Sequence, residues 1–336
     1  MSIFSRDKGG GAERFPNYSL LEAAVDRAES KTSKLESIYH LSQEKGWDGR
    51  EVLAAALERH GGIHIDDEKR AALARVFSII LWGELAAWNV SAELAERIED
   101  VEAKMAATSQ SFDEARHFYV MRDYLRELGH PVPQLDAYAR HILREVLATG
   151  NLVYKLVGMQ LLVENVALSL FKMVGKAGVE PVLSDLMPYF EKDEARHVGL
   201  GVNYLPKLLK QMSAADVVRL NLFQARIYSL LFWDTMMLLE DFRSLGLDAN
   251  EATRNGLRLQ VEVAGQIGKF SREASDRKAG RGVYVEPELI RRTHSFSIDA
   301  FMPKPDAEVP AWQQRILGVA QRVARVGARA IDAVDR

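Results

Sequence analysis

The chain has 336 residues, 47% apolar and 27% charged, with a formal net charge of −3. That composition excludes a disordered or collagenous chain, and its near-neutral balance gives no electrostatic footing for nucleic acid. It has no cysteine, which excludes disulfides, thiolate zinc sites, iron–sulfur clusters and cysteine nucleophiles, so a metal would have to be held by His, Asp and Glu.

Residues 1–17 read as a flexible leader, with Gly9, Gly10 and Gly11 but no apolar stretch of the signal-peptide kind, so a cytoplasmic protein is expected. Beyond it, apolar residues recur at i, i+3, i+4 and i+7 in segments rich in Ala, Leu, Glu and Arg, which predicts an all-α fold. Two preliminary helices span about Leu20–Gln43 and Gly49–Arg59. Asp66 or Asp67 opens a long helix through Trp88, and Ser91 is the expected N-cap of a second, which Gly129-His130-Pro131-Val132-Pro133 stops near Leu128. A short helix, about Leu135–Ala148, precedes a third long one, Asn151–Lys176, and a fourth, Val182–Met212, that Pro188 should kink. Two more follow, Ala214–Leu245 and Asn250–Ser275. The helical domain is thus placed at 18–276, and 277–336 is read as an arm with a β-rich scrap at Val283–Val285 and a terminal amphipathic helix, Ala311–Val334. Asp234, Gln160, Glu164 and Asn165 interrupt the longest apolar runs, so no membrane span is expected.

Two identical pentapeptides stand 80 residues apart: Asp113-Glu114-Ala115-Arg116-His117 and Asp193-Glu194-Ala195-Arg196-His197. Thirty residues before the Glu of each lies another glutamate, Glu84 or Glu164, each three residues after a leucine. This is a weak internal duplication of a helix pair within 66–212. Residues i and i+3 share a helix face, so Glu114 with His117, and Glu194 with His197, can converge on one point. Glu84 and Glu164 sit in apolar surroundings, where an ionised carboxylate costs several kcal/mol unless it meets a cation. Four carboxylates and two neutral imidazoles balance two divalent ions, and oxygen donors with imidazole suit iron or manganese. Asp113 and Asp193 each stand four residues before a His whose outer ring N–H they could accept, and Arg116 and Arg196 could pair with them across the bundle. Glu127 and His130 make a third Glu-x-x-His, but Gly129 and Pro131 break the helix there and no partner glutamate repeats. That one reads as chance.

The pattern resembles the ferritin-like di-iron carboxylate superfamily, in which two helices each give a Glu and two others each give Glu-x-x-His. The Asp-Glu-x-Arg-His form is similar to its oxygen-activating branch, which includes multicomponent monooxygenase hydroxylases, acyl-carrier-protein desaturases, aldehyde-deformylating oxygenases and the radical subunit of ribonucleotide reductase. The resemblance covers about Asp66 to Leu209. It implies a ferritin-like four-helix bundle with additional helices, and metal ligands Glu84, Glu114, His117, Glu164, Glu194 and His197. The departures are specific. Met121 and Met159 stand where a radical subunit and ligand-binding oxidases place a tyrosine. Phe190 replaces the extra histidine of arylamine N-oxygenases, and Leu168 the threonine of methane and toluene monooxygenases. No familiar subfamily fits.

What the resemblance implies is a non-haem oxidase or monooxygenase holding two iron ions (alternatively Mn/Fe or Mn/Mn) that uses O2 to oxidise an organic, apolar substrate. With no flavin or iron–sulfur motif in the chain, electrons would come from a separate ferredoxin or reductase, and a homodimer is expected. The alternative is a ferroxidase or dimanganese catalase-like protein without an organic substrate, which a polar entry channel would favour and an apolar cavity would disfavour. The helices beyond a minimal bundle are expected to roof such a cavity, with Trp82, Trp88, Phe118, Tyr154 and Phe190 as possible lining. Asp234, Glu240 and Asp241 read as helix polar faces, and His40, His60, His64, His141 and His294 as surface or core histidines. On the last helix Arg315, Arg322, Arg325 and Arg329 lie opposite an apolar stripe, expected to pack on the domain or a second subunit.

Overall fold

A computed structural model describes residues 33–209, 211–251, 253–258, 261–262 and 310–334. Local chemistry sets the helix starts. Ser33 caps α1 (Lys34–Glu44) by accepting the Glu36 N–H, and Asp48 caps α2 (Gly49–His60), which ends at Gly61 with φ 69°. Then come α3 (Asp67–Arg97), α4 (Val101–Glu127, capped by Asp100), α5 (Ala137–Ala148) and α6 (Leu152–Ala177). α7 (Pro181–Leu209) is followed by α8 (Ala214–Ser244), opened by a reciprocal capping box between Ser213 and Asp216. Helical backbone at 249–251 and 253–258 and a final helix, α9 (Ala311–Val334), complete the described residues, which contain no strand.

α3 packs along α4, α6 along α7, and α4 against α7, which makes the four-helix bundle. α1 and α2 lie across α4 and α7; α8 covers α3, α5 and the middle of α6, and α9 rests on α8 and α5. The apolar core falls into two layers with a polar band between them. One holds Phe77, Tyr124, Phe171 and Phe190, the other Leu94, Ala106, Leu156 and Leu200, all buried. Each large side chain buried in these layers contributes about 1.5–3 kcal/mol. Every bundle helix crosses this band once: α3 at Glu84, α4 at Gln110–His117, α6 at Glu164 and α7 at Asp193–His197.

Over the described residues the expected helices agree with those observed except at two places, and of the first, about Leu20–Gln43, only the part from Lys34 is described. α3 does not stop at Trp88. Val90 and Leu94 continue its buried face, so it runs to Arg97, and Ser91 is buried within it with its hydroxyl on the Trp88 carbonyl rather than capping a new helix. α4 therefore begins at Val101. Within α6, residues Val157–Val163 form a π-helix, and the Glu164 N–H reaches back five residues to the Met159 carbonyl. The helix expected over Asn250–Ser275 is described only as far as residue 262. Residues 1–32 and 263–309, with His294 and Val283–Val285, lie outside the described residues.

By length and composition α3 and α6 are apolar enough to cross a membrane. Their apolar windows are 61% and 72% buried inside the bundle, and Glu84 and Glu164 sit in their middles.

Candidate dimetal centre

The six side chains singled out from the sequence meet in the central band. Glu84, Glu114, His117 and Glu194 form one group and Glu114, Glu164, Glu194 and His197 another; within each, the ligand atoms lie within 4.8 Å of one another. All six are buried. His117 Nδ1 stands 3.2 Å from Glu84 Oε2 and 3.1 Å from Glu194 Oε1, while His197 Nδ1 is 3.0 Å from Glu114 Oε1 and 3.1 Å from Glu194 Oε2. Glu114 and Glu194 thus turn one oxygen toward each histidine, with Glu84 and Glu164 at the flanks. The π-helical turn leads directly into Glu164.

Charge in the band is unbalanced. Burial and the charges of Glu194 and Glu114 push the Glu164 carboxyl well above its ordinary range; burial does the same to Glu84, partly offset by His117. Burial also opposes ionisation of Glu114, but the charge of His197 and hydrogen bonds from both histidines outweigh it and hold the carboxyl well below the usual range. For His117 and His197 the surrounding carboxylates overcome burial and raise both imidazoles well above their ordinary value. Glu114 Oε2 and Glu194 Oε1 are buried and, although His117 Nδ1 stands 3.5 and 3.1 Å from them, neither accepts a well-directed hydrogen bond among the described residues. Paired cations would supply partners for both oxygens and displace the protons, so the donor set fits two divalent ions.

Around this centre the aspartates are exchanged between the two halves. Each was expected to serve the histidine of its own pentapeptide. Instead Asp193 lies 3.0 Å from His117 Nε2 and Asp113 lies 3.5 Å from His197 Nε2. The reason is helical geometry: at i and i+4 on one helix an aspartate and a histidine project in parallel, and the outer ring nitrogen points across to the facing helix. Arg116 joins Asp113 (2.5 Å) to Asp193 (2.8 Å), and Arg196 contacts the same two carboxylates. This closes a buried ring of two aspartates and two arginines behind the histidines. Burial opposes ionisation of both aspartates, but His197 and His117 respectively overcome it and hold them below the usual carboxylate range.

Four participants were not singled out from the sequence. Gln110 Nε2 donates to Glu114 (2.9 Å) and Glu164 (3.0 Å), and Gln160 Nε2 donates to Gln110 Oε1 (3.3 Å). Trp47, in the α1–α2 turn, donates its indole N–H to Asp193 at 2.8 Å with the Arg116 guanidinium over its ring, and Ser42 of α1 donates to Asp113. For Gln110 a signal existed, since it stands four residues before Glu114 and so shares its face. Trp47 and Ser42 carry none.

A cavity of about 440 Å³ adjoins the centre and shares Glu84 and Glu164 with it. Its walls are otherwise mostly apolar: Val76, Ile79 and Ile80 of α3, Ile142 and Leu143 of α5, Val163 and Leu170 of α6, and Leu231, Leu238 and Phe242 of α8. The helices beyond the minimal bundle therefore do enclose a space. None of the five aromatic residues expected there lines it. Trp82 and Trp88 are 40% and 38% exposed, Trp88 stands beside Phe118, Tyr154 packs on Phe223, and Phe190 stacks on the His117 ring at 4.5 Å. The cavity opens on the faces of α3 and α6 turned toward α5 and α8, whereas Phe190 lies on the α7 side. Asp234, expected on a polar face, is buried and lines the cavity, while Glu240 is exposed and Asp241 takes the Arg75 guanidinium. His60 pairs with Asp185, His141 stands beside Glu145, and His40 and His64 lie near the surface. His130 is partly exposed in the loop after α4 and belongs to neither carboxylate–histidine group. α9 packs through Leu317, Ala320 and Ala324 and leaves Ile316, Val319, Val323 and Val326 exposed.

No family model matches the chain, and no curated protein is similar to it in sequence. Among solved structures, the fold is similar to a protein with aldehyde deformylating oxidase activity from Synechococcus, at 20% identity and TM-score 0.53, over 63% of this chain and 98% of that one. A variant of an R2-like ligand-binding oxidase with an aerobically reconstituted Mn/Fe cofactor aligns at 15% identity and TM-score 0.46, over 85% of this chain and 97% of that one.

Proposed function

From a chain of the ferritin-like helical-bundle fold with a matched carboxylate–histidine centre, we infer a dimetal oxidase or oxygenase acting on an organic, apolar substrate. The observation that carries this reading is the shared wall: the cavity of about 440 Å³ is closed on one side by Glu84 and Glu164, the two flanking carboxylates of the centre. An apolar space of that size beside the centre fits a small organic ligand better than a path for metal ions, which need polar groups along it.

Glu84, Glu114, His117, Glu164, Glu194 and His197 would hold the pair, iron or mixed manganese and iron by donor type. Such a pair, when bound, supplies electrons and Lewis acidity toward O2. The chain's own residues do the rest. Asp193 keeps the His117 proton on Nε2, so that Nδ1 faces inward as an acceptor, while Asp113 presents its charge to His197 Nε2 at 3.5 Å. Gln110 steadies Glu114 and Glu164 from one side. Phe190 and the two apolar core layers keep bulk water from the centre. Electrons come from a separate ferredoxin or reductase in this reading. The test is anaerobic loading with ferrous iron followed by O2. A new near-ultraviolet absorption band with consumption of about one O2 per metal pair is expected, and a loaded sample inert to oxygen overturns the reading.

A further inference from the structure

The cavity's polar wall residues are the hydroxyl-bearing Ser169, Tyr228, Ser229, Thr235 and Thr253 and three carboxylates. The Ser169 and Thr235 hydroxyls donate to carbonyls one turn back on their own helices, Asn165 and Leu231, and Thr253 donates to Ala249. Glu84 and Glu164 belong to the candidate centre. The third carboxylate is Asp234, on α8. Its side chain is buried, with a residue exposure of 7%, and Oδ1 has no hydrogen-bond partner among the described residues.

Among the described residues, the charged groups acting on Asp234 are Asp136 and Arg75. Arg75 is shared by Asp136, at 3.0 and 3.2 Å, and Asp241, at 2.7 Å. One guanidinium thus serves two carboxylates, and Asp234 is a third acid near them. Burial, reinforced by the charge of Asp136, pushes the Asp234 carboxyl up to about 7, although the Ala139 backbone N–H and Arg75 pull the other way. Asp241 is raised too, by burial ahead of the lowering effect of Arg75. A carboxyl left with a free oxygen in an apolar chamber costs about 1–3 kcal/mol unless its ligand completes the hydrogen bonding. An alcohol would supply one donor and no charge. A protonated amine supplies two or three donors and a positive charge.

We propose that the cavity takes an amphipathic amine, its ammonium group held by Asp234 Oδ1 and its apolar body running along the α3, α6 and α8 walls beside Glu84 and Glu164. This rests on the oxidase reading only for what happens to the amine after it binds. The binding itself is a separate claim.

The test is calorimetric titration of the metal-loaded full chain with n-octylamine and with octan-1-ol, matched in length and differing in charge. The amine should bind at least tenfold more tightly than the alcohol. In Asp234→Asn that preference should disappear while alcohol affinity stays within about twofold. Equal affinities in the unaltered protein, no amine binding at all, or a preference that survives the substitution would each overturn the proposal. The wild-type comparison decides even if the variant fails to fold. Metal content measured on the same samples, and the titration repeated on metal-free protein, separate the two readings. Amine preference without two bound metals would sink the dimetal centre alone, and two metals without amine preference would sink this proposal alone.

Discussion

The exchange of aspartates between the two pentapeptides has consequences that can be measured one side chain at a time. Because Asp193 braces His117 from the facing helix, Asp193→Asn removes the negative charge that holds the His117 Nε2 proton and that Arg116 and Arg196 share, and puts an NH2 donor in place of one acceptor oxygen. Loss of such outer partners lowers metal affinity about 10–100-fold. Competition with a chelator should show that loss for one ion of the pair, leaving the second, on His197, near its original affinity. Glu164→Ala should leave less than two metals per chain, and unchanged stoichiometry in elemental analysis would remove Glu164 from the ligand set. The protons held at the centre also fix a pH trend. Glu84 and Glu164, ordinarily 4.5, and His117 and His197, ordinarily 6.5, are all raised in the folded, metal-free protein. A raised group binds more protons folded than unfolded, so its stabilisation is complete below the ordinary value and is lost as pH rises through the folded one. The lowered carboxylates act in the opposite sense, but only below about their ordinary 3.8–4.5. Metal-free protein should therefore be less stable at pH 8.5 than at pH 6 by thermal denaturation. Metal must displace those protons, so its stabilising effect should grow with pH.

At the scale of the helix, the sequence shows plainly what periodicity and repetition encode. A duplicated five-residue string and matched glutamates located all six inward-facing groups, because a fixed offset along a helix becomes a fixed offset in space. Periodicity also found the bundle helices. It could not place the break between α3 and α4, because Ser91 resembles an N-cap locally and only tertiary burial of Val90 and Leu94 carries the helix past it. Nor does any local pattern announce the π-turn at Val157–Val163, whose extra residue is stabilised by what it packs against. That packing is tight at Gly201 of α7. A Cβ there would come within 2.9 Å of Gln160 Cβ and 3.1 Å of Leu161 Cδ2. Gly201→Ala should cost about 1–3 kcal/mol by overpacking, despite the better helix propensity of alanine. Denaturant titration measures the cost. A stabilised variant would mean that α6 can move away from α7 freely.

Across the whole molecule, the minimal bundle holds the candidate centre while the added helices, α5 and α8, wall the space beside it, so the two should be separable by substitution. Gly83 offers the cleanest separation. It lines the cavity on α3, and a Cβ built there meets nothing within 4 Å, so a larger side chain can enter the empty space instead of the packed core. Replacing a helical glycine also returns up to about 1 kcal/mol of helix propensity, which guards against loss of fold. Gly83→Leu should thus keep two metals per chain and the spectral response to O2, while octan-1-ol affinity falls at least tenfold because the side chain occupies the volume the ligand needs. If ligand affinity is instead unchanged, the ligand does not lie along α3. If metal is lost along with the ligand, the wall formed by Glu84 and Glu164 is too closely coupled to the chamber for the cavity to have been added to an independent metal site.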